Sequence, residues 1–387
     1  MNHIAVMTSP SARVALACAC LAAVPPAAAS AQTHDVALSP EAWVATDSVL
    51  DTTFLGRDCL YINRGVALAR GAAMENGTLE LDVAASDRTT FLGISFRAAS
   101  PTFSNVIYLR PVLVDLTDDI QYGPAFNSVG VAWQVFHGPG ANGEAEIPRN
   151  RWIHLRLELD GPVARFYVDT ATTPNLVVPR VVASGGSGLG VWAGAFGRGA
   201  CFSNIRFTPR PATTASAPPP APPSGALLHW ELSNTIEVAD FTPDALPDLA
   251  RLTWQSVAPE PDGLVLINRY RAMPAGGTPR DSTGAVLTDS VMTGRMAGAR
   301  VVYARTTIAA TRDEVRKLEY AYSNGVVIYL NGRALVMAMN PSGMRAALAS
   351  MARAGDAVYL PLRRGRNELV FAVVELTGGW AYSARLH

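Results

Sequence analysis

One proline-rich run divides this chain into two parts, each of which must build its own core. Residues 208–224 read TPRPATTASAPPPAPPS, with seven prolines and no aliphatic side chain larger than alanine. Such a run favours extended polyproline geometry and acts as a semi-rigid spacer. The sequence therefore predicts a first domain over 32–207, a linker over 208–224 and a second domain over 225–387.

The first 31 residues have the composition of a secretory signal peptide. They contain one Arg and no acidic residue, an apolar run over 14–24, and the small triplet ASA before the expected cleavage. The apolar run is about half the roughly 20 residues that a membrane-spanning helix needs, so we expect no retained anchor. A lipoprotein site at Cys18 or Cys20 is the weaker alternative, because the residues before each cysteine depart from the lipidation pattern. We expect an exported chain, either periplasmic or extracellular.

Cleavage after residue 31 leaves two cysteines, Cys59 and Cys201. An even pair in an oxidising compartment favours a disulfide, and two separate buried thiols are the alternative. The 32 basic and 32 acidic side chains cancel, so no broad basic surface is available to bind phosphates. We therefore expect no nucleic-acid partner, and the sequence leaves the oligomeric state open.

Both parts carry the pattern of short strands, in which alternating or β-branched runs are divided by Gly, Pro, Asn and Asp. The runs predicted as strands before the linker are 79–83, 91–97, 105–112, 129–136, 152–159, 164–168, 189–196 and 201–207. Those after the linker are 301–308, 317–322, 326–330, 333–337, 357–362, 368–376 and 380–386. Asp160-Gly161 and Asn331-Gly332 are typical of tight hairpins, and only 341–353 favours a helix. The predicted fold class is all-β, with two antiparallel β-sandwich (jelly-roll) domains.

The sequence contains no phosphate-binding glycine loop, no histidine pair at zinc spacing and no nucleophile elbow. We expect no cofactor and no metal centre, with a structural calcium ion left open. Glu80 and Asp82 stand two residues apart on a predicted strand, so their side chains share one face. They are weak catalytic candidates, because Glu-x-Asp-x-x-Glu glucanases carry a third carboxylate where this chain has Ala85. A solvated outer strand face is the favoured interpretation of this pair.

Planar hydrogen-bond donors and aromatic rings concentrate in four segments of the first domain, which read FR, YLRP, QY and WQ. Such groups suit a hydroxyl-rich sugar ring, because guanidinium and amide groups bond hydroxyls while aromatic faces pack on the ring. Pairing of the arginines with nearby carboxylates is the alternative. The candidate ligand-binding residues are Arg97, Tyr108, Arg110, Gln121, Tyr122 and Gln134.

The first domain resembles the concanavalin A-like (laminin G-like) lectin and glucanase group. The resemblance rests on FLGISFR, YLRP, QYGPAFN and AWQVFHG, followed by a WIHLRLELDG hairpin and a closing CFSNIRF strand. In this group the first and last strands lie side by side, which implies that Cys59 and Cys201 face each other. The group contains both lectins and glucanases, so the resemblance implies the fold more strongly than an activity.

The second domain resembles a galactose-binding-domain-like jelly roll, on the segments VIYLNGRAL, AVYLPLRRGRNELVFAV and GGWAY. Members of that fold bind glycans, stabilise a neighbouring catalytic domain or mediate protein contacts. The leading hypothesis is a secreted, non-catalytic protein that binds carbohydrate or a cell-surface polymer. A sugar-cleaving hydrolase or lyase with its site in the first domain is the runner-up, and a protein–protein interaction module is the third hypothesis.

Overall fold

The protein is described from a computed structural model. The structure describes residues 32–111, 119–128, 130–194, 199–213, 218, 220–272, 299–339, 355–376 and 378–387. The expected signal peptide and the expected helix at 341–353 lie outside these ranges. Residues Gln32–His387 form one compact unit. Within the described ranges, no helix is long and apolar enough to cross a membrane.

Antiparallel strands and short 3-10 turns make up the regular structure, and the described residues contain no α-helix. The predicted all-β fold is therefore confirmed. The 3-10 turns are Pro40–Ala42, Val238–Asp240, Leu249–Arg251 and Ile267–Arg269.

In the described part of the chain the strands form four sheets, two before the proline-rich run and two after it. Sheet 1 has the spatial order β13 (Leu176–Val178), β12 (Val163–Val168), β11 (Trp152–Asp160), β6 (Gly77–Ala84), β15 (Ala200–Pro209), β4 (Arg57–Ile62) and β3 (Val49–Phe54), with β1 (His34–Asp35) also paired to β15. Sheet 2 has the order β10 (Asn142–Gly143), β9 (Ile120–Phe126), β8 (Phe103–Leu109), β7 (Leu92–Ser100), β14 (Gly188–Ala193), β5 (Gly65–Ala73) and β2 (Trp43–Ala45).

The other two sheets follow the proline-rich run. Sheet 3 has the order β18 (Trp254–Val257), β16 (Trp230–Ser233), β20 (Arg300–Ala310), β25 (Gly365–Glu375), β22 (Gly325–Leu330) and β23 (Arg333–Met339), with β17 (Ile236–Glu237) paired to β20. Sheet 4 has the order β19 (Leu264–Leu266), β26 (Ala381–Leu386), β21 (Glu314–Tyr322) and β24 (Asp356–Leu362).

Each pair of sheets encloses an apolar core that the strand alternation creates. In the first pair, Leu81 and Phe202 of sheet 1 share a fully buried cluster with Ile94 of sheet 2. In the second pair, Phe371 of sheet 3 and Tyr382 of sheet 4 belong to another such cluster. Because every second residue of a strand points inward, the intervening polar residues are left on the outer faces.

Two tight turns and a disulfide agree with the sequence. Asn331 and Gly332 both have positive φ and join β22 to β23 as a two-residue hairpin. Gly161, also at positive φ, joins β11 to β12. Cys59 of β4 and Cys201 of the adjacent β15 are joined with their Cα atoms 5.5 Å apart, which confirms the expected disulfide.

The predicted strand at 129–136 is wrong for its described residues, which form turns. The backbone amides of Val135 and Phe136 both donate to the carbonyl of Ala132, which closes a local turn instead of a sheet ladder. The Gln134 amide donates to the carbonyl of Gly378, at 2.9 Å. The alternation of apolar and polar residues here reflects packing against a distant part of the chain rather than a strand.

That packing joins the two pairs of sheets through an apolar contact. Phe126, Ala132 and Val135 from the first pair form one buried cluster with Leu264, Leu266, Ala321 and Ala381 from the second. The side-chain amide of Asn324 donates to Gln134 Oε1 at 2.8 Å within the same contact. Interfaces between linked modules are often small and polar, whereas this one has an apolar centre.

Candidate functional site

The outer face of sheet 1 collects charged side chains around the carboxylates of β6. Leu79, Leu81 and Val83 point into the core and are at most 1% exposed, so Glu80 and Asp82 point outward. Their side chains are 25% and 16% exposed, respectively. The alternation predicted this shared face, and the structure places both residues on it.

His154 lies between the two carboxylates. It stands opposite Asp82 in the pairing of β11 with β6. Its Nδ1 is 2.9 Å from Asp82 Oδ1, and its Nε2 is 3.4 Å from Glu80 Oε1. One imidazole therefore bridges both acids. His154 was not among the residues predicted from the sequence, although the alternation of WIHLRLEL is a signal that could have placed it on the polar face of its strand.

Two arginines and one asparagine complete this group. Arg206 reaches Glu80 through Nε, at 3.2 Å, and Arg57 reaches Asp82 through Nη1, at 2.5 Å. Asn204 donates to Asp82 Oδ2 at 2.6 Å from an irregular point of β15, where its φ is +51°. The irregularity shifts the register of β15 and turns the asparagine side chain toward β6. We call the six residues Arg57, Glu80, Asp82, His154, Asn204 and Arg206 the carboxylate face.

These partners hold both acids in the ionised form. Partial burial alone would raise the pKa of Glu80, but hydrogen bonding and charge from Arg206 and His154 outweigh it and lower the pKa. For Asp82, burial is likewise outweighed, here by His154, Asn204 and Arg57, and the pKa lies below its ordinary value.

Aromatic rings border the carboxylate face, and arginine side chains pack on them. The guanidinium carbon of Arg57 lies 4.8 Å from the ring centre of Trp152. Farther along β11, Arg156 lies 3.8 Å from the ring centre of Tyr167 and bonds Glu158 at 2.8 Å. Cation–π contact fixes both guanidinium groups against flat surfaces. The result is an open sheet face of alternating donors and acceptors with aromatic edges.

Three of the predicted ligand-binding residues form a chain inside the protein. Tyr108 donates to Gln121 Oε1 at 2.7 Å, and Arg110 Nη2 donates to the Tyr108 hydroxyl at 3.0 Å. The Gln121 side-chain amide donates to the carbonyls of Trp133 and Phe136, each at 2.7 Å. All three are at most 7% exposed. The structure brings these three residues together, and the Gln121 amide at the end of the chain holds the turns of 131–136 on sheet 2.

The other three predicted residues lie outside this chain of hydrogen bonds. Arg97, at a positive φ of 45°, donates to the carbonyls of Gly161 and Glu75, and burial lowers its pKa. The Tyr122 hydroxyl donates to Asn105 and accepts from the Val182 amide, and burial raises its pKa. Gln134 belongs to the contact between the sheet pairs. A ligand-binding role for the six residues stays a prediction.

Among the described residues, no group of three or more His, Cys, Asp and Glu side chains has the arrangement to hold a metal ion.

Comparison with known proteins gives structural similarity without a family. No protein-family model matches the chain, and no curated protein matches it. The carbohydrate-binding module CBM66 from Bacillus subtilis is 20% identical, with a TM-score of 0.33 over 43% of this chain and 94% of its own. The exoplasmic/lumenal domain of VIP36, in a Ca²⁺/Man3GlcNAc-bound form, is 10% identical, with a TM-score of 0.32 over 45% of this chain and 86% of its own. The Caenorhabditis elegans galectin LEC-6 is 13% identical, with a TM-score of 0.23 over 41% of this chain and 99% of its own.

Proposed function

We propose that this protein is exported and binds carbohydrate or a cell-surface polymer without cleaving it. The carboxylate face is the proposed contact surface. The observation that carries the proposal is the bridged arrangement of Glu80, His154 and Asp82 on an open sheet face. Ionised carboxylates accept hydrogen bonds from sugar hydroxyls, while guanidinium and amide groups donate to sugar oxygens.

The ionised state of Glu80 and Asp82 favours binding over hydrolysis. Glycosidases of the two-carboxylate type need one acid with a raised pKa, so that it carries a proton for the leaving group. Here the pKa values of Glu80 and Asp82 are both lowered by their cationic partners. The third glucanase position, Ala85, is fully buried and offers no carboxyl group. Neither acid on this face is suited to donate a proton at neutral pH.

The expected affinity is modest. A sugar hydroxyl that replaces water on such a face contributes about 1 kcal/mol net per hydrogen bond. About four such bonds correspond to a dissociation constant on the order of 1 mM. Binding of this strength suits a polymer, in which several sugar units contact the protein together.

The proposal includes export and the order of domains. Removal of residues 1–31 as a signal peptide is supported by the Cys59–Cys201 disulfide, since such bonds persist in oxidising compartments. We propose a concanavalin A-like sandwich over 32–207, the linker 208–224, and a galactose-binding-like sandwich over 225–387.

Affinity electrophoresis tests this function. The wild type and a Glu80→Gln/Asp82→Asn variant are run in native gels with and without a soluble β-glucan, dextran or polygalacturonate. We expect at least one polymer to retard the wild type, and the variant to bind it about tenfold more weakly, because charged acceptors become neutral. Glu146→Gln, which removes an exposed carboxylate elsewhere, is the matched control and should bind like the wild type. Equal retardation of the wild type and the double variant would contradict the carboxylate face as the contact surface.

A further inference from the structure

The outer face of sheet 3 changes from covered and apolar to open and polar along its strands. Val301, Tyr303 and Val370 pack beneath apolar side chains from the segment 236–254. Along β20 the same face continues with the half-buried Arg305, at the edge of that cover, and then with the exposed Thr307. The cover ends at Trp254, whose ring centre lies 3.9 Å from the guanidinium carbon of Arg305.

A cleft of about 510 Å³ opens where the cover ends. The strand register brings its polar side chains into rows across four strands. Ser256, Glu231 and Arg305 are neighbours across β18, β16 and β20. The next rows pair Thr307 with Glu368 and Ala309 with Arg366, across β20 and β25.

One part of the cleft is rigid and the other is free to receive a ligand. Arg305 bonds Glu231 at 2.8 Å and rests on the Trp254 ring, so its guanidinium is held in place from two sides. Thr307, Arg366 and Glu368 are exposed. A fixed donor facing exposed donors and acceptors is suited to orient a small polar ligand.

We propose that this cleft is a second carbohydrate site, which takes a neutral, hydroxyl-rich saccharide. The inference rests on the proposed function and extends it to the second pair of sheets. The lining includes two guanidinium groups and two carboxylates. These charges cancel, so the lining offers a uronate no net attraction, whereas an uncharged sugar hydroxyl donates to the carboxylates and accepts from the guanidinium groups.

Two sites in one compact unit favour a polymer as the ligand. The apolar contact between the sheet pairs links the carboxylate face and the cleft within one folded body. When one site has bound a chain, the second binds the same chain at a raised effective concentration. Loss of either site should then weaken polymer binding, and loss of both should abolish it.

The test compares full-length variants in native gels that contain dextran, soluble β-glucan or polygalacturonate. Arg366→Ala/Glu368→Ala removes two exposed groups of the cleft, and Arg364→Ala removes an exposed arginine outside it as the matched control. We expect at least tenfold weaker retardation by a neutral polymer for the cleft variant and no change for the control. Combination with Glu80→Gln/Asp82→Asn should abolish retardation.

The outcomes separate this site from the carboxylate face. Wild-type affinity in the cleft variant would refute the second site, while the Glu80→Gln/Asp82→Asn variant judges the proposed function by itself. If only the cleft variant loses binding, the cleft stands and the carboxylate face fails. Retardation by polygalacturonate alone would refute the neutral ligand class, and no retardation of the wild type by any polymer would overturn both sites.

Discussion

Reduction of the Cys59–Cys201 disulfide should remove a large share of the stability of the first pair of sheets. The bond joins β4 to β15 and closes a loop of 142 residues. In the chain-entropy treatment, a loop of that length destabilises the unfolded state by about 5 kcal/mol at room temperature. Both cysteines are at most 4% exposed and lie on strands that are already paired, so the fold presents them together without the bond. We therefore expect the reduced protein to fold but to unfold more readily.

Urea denaturation of the oxidised and reduced wild type measures this effect without any substitution. We expect the free energy of unfolding to fall by about 3 to 5 kcal/mol on reduction. A Cys59→Ala/Cys201→Ala variant is the second comparison and should match the reduced protein to within the small loss of two buried sulfur atoms. A difference below about 1 kcal/mol between oxidised and reduced protein would refute the reasoning, because the bond would then constrain little of the unfolded chain.

Three further predictions concern single groups. The pKa values of Glu80 and Asp82 are lower in the folded protein than their ordinary values of 4.5 and 3.8. The stability that this difference contributes is complete above those ordinary values and is lost as the pH falls through the lower folded values. Glu80→Gln/Asp82→Asn should therefore flatten acid unfolding curves below about pH 4. Burial raises the pKa of Glu375, so the folded protein keeps a proton that the unfolded chain releases above pH 4.5. The wild type therefore loses stability as the pH rises from 5 to 9, and Glu375→Gln should become more stable relative to it in urea titrations over that range. Gln121→Leu leaves the buried partners of three hydrogen bonds without a bond and should lower the free energy of unfolding by about 2 to 4 kcal/mol. An unchanged urea midpoint would contradict that network.

The strands, and which face of each strand is buried, could be predicted because both are local properties of the sequence. In β11, and in β6 as far as Val83, alternation alone decides which side chains are buried. The Asn331-Gly332 hairpin was equally local, since both residues tolerate positive φ. Local rules of this kind apply wherever one face of a strand meets a core.

The candidate site was harder to predict because it depends on which strands become neighbours. Tyr108 and Gln121 have the chemistry of a sugar site, but the turns at 131–136 cover them. No local pattern in the sequence predicts that these turns pack there. His154 looked isolated along the chain, yet the pairing of β11 with β6 places it between two carboxylates. Turn 132–136 alternates like a strand because its apolar residues pack against the other pair of sheets.

Binding and cleavage measured on the same polymer distinguish a carbohydrate-binding protein from a hydrolase. The wild type is incubated with the polysaccharide that retards it most strongly, and reducing ends are counted over time alongside the retardation assay. The account predicts retardation that depends on Glu80 and Asp82, with no release of reducing ends above the protein-free control. Reducing ends that accumulate with the wild type and disappear with Glu80→Gln would contradict it and establish a hydrolase.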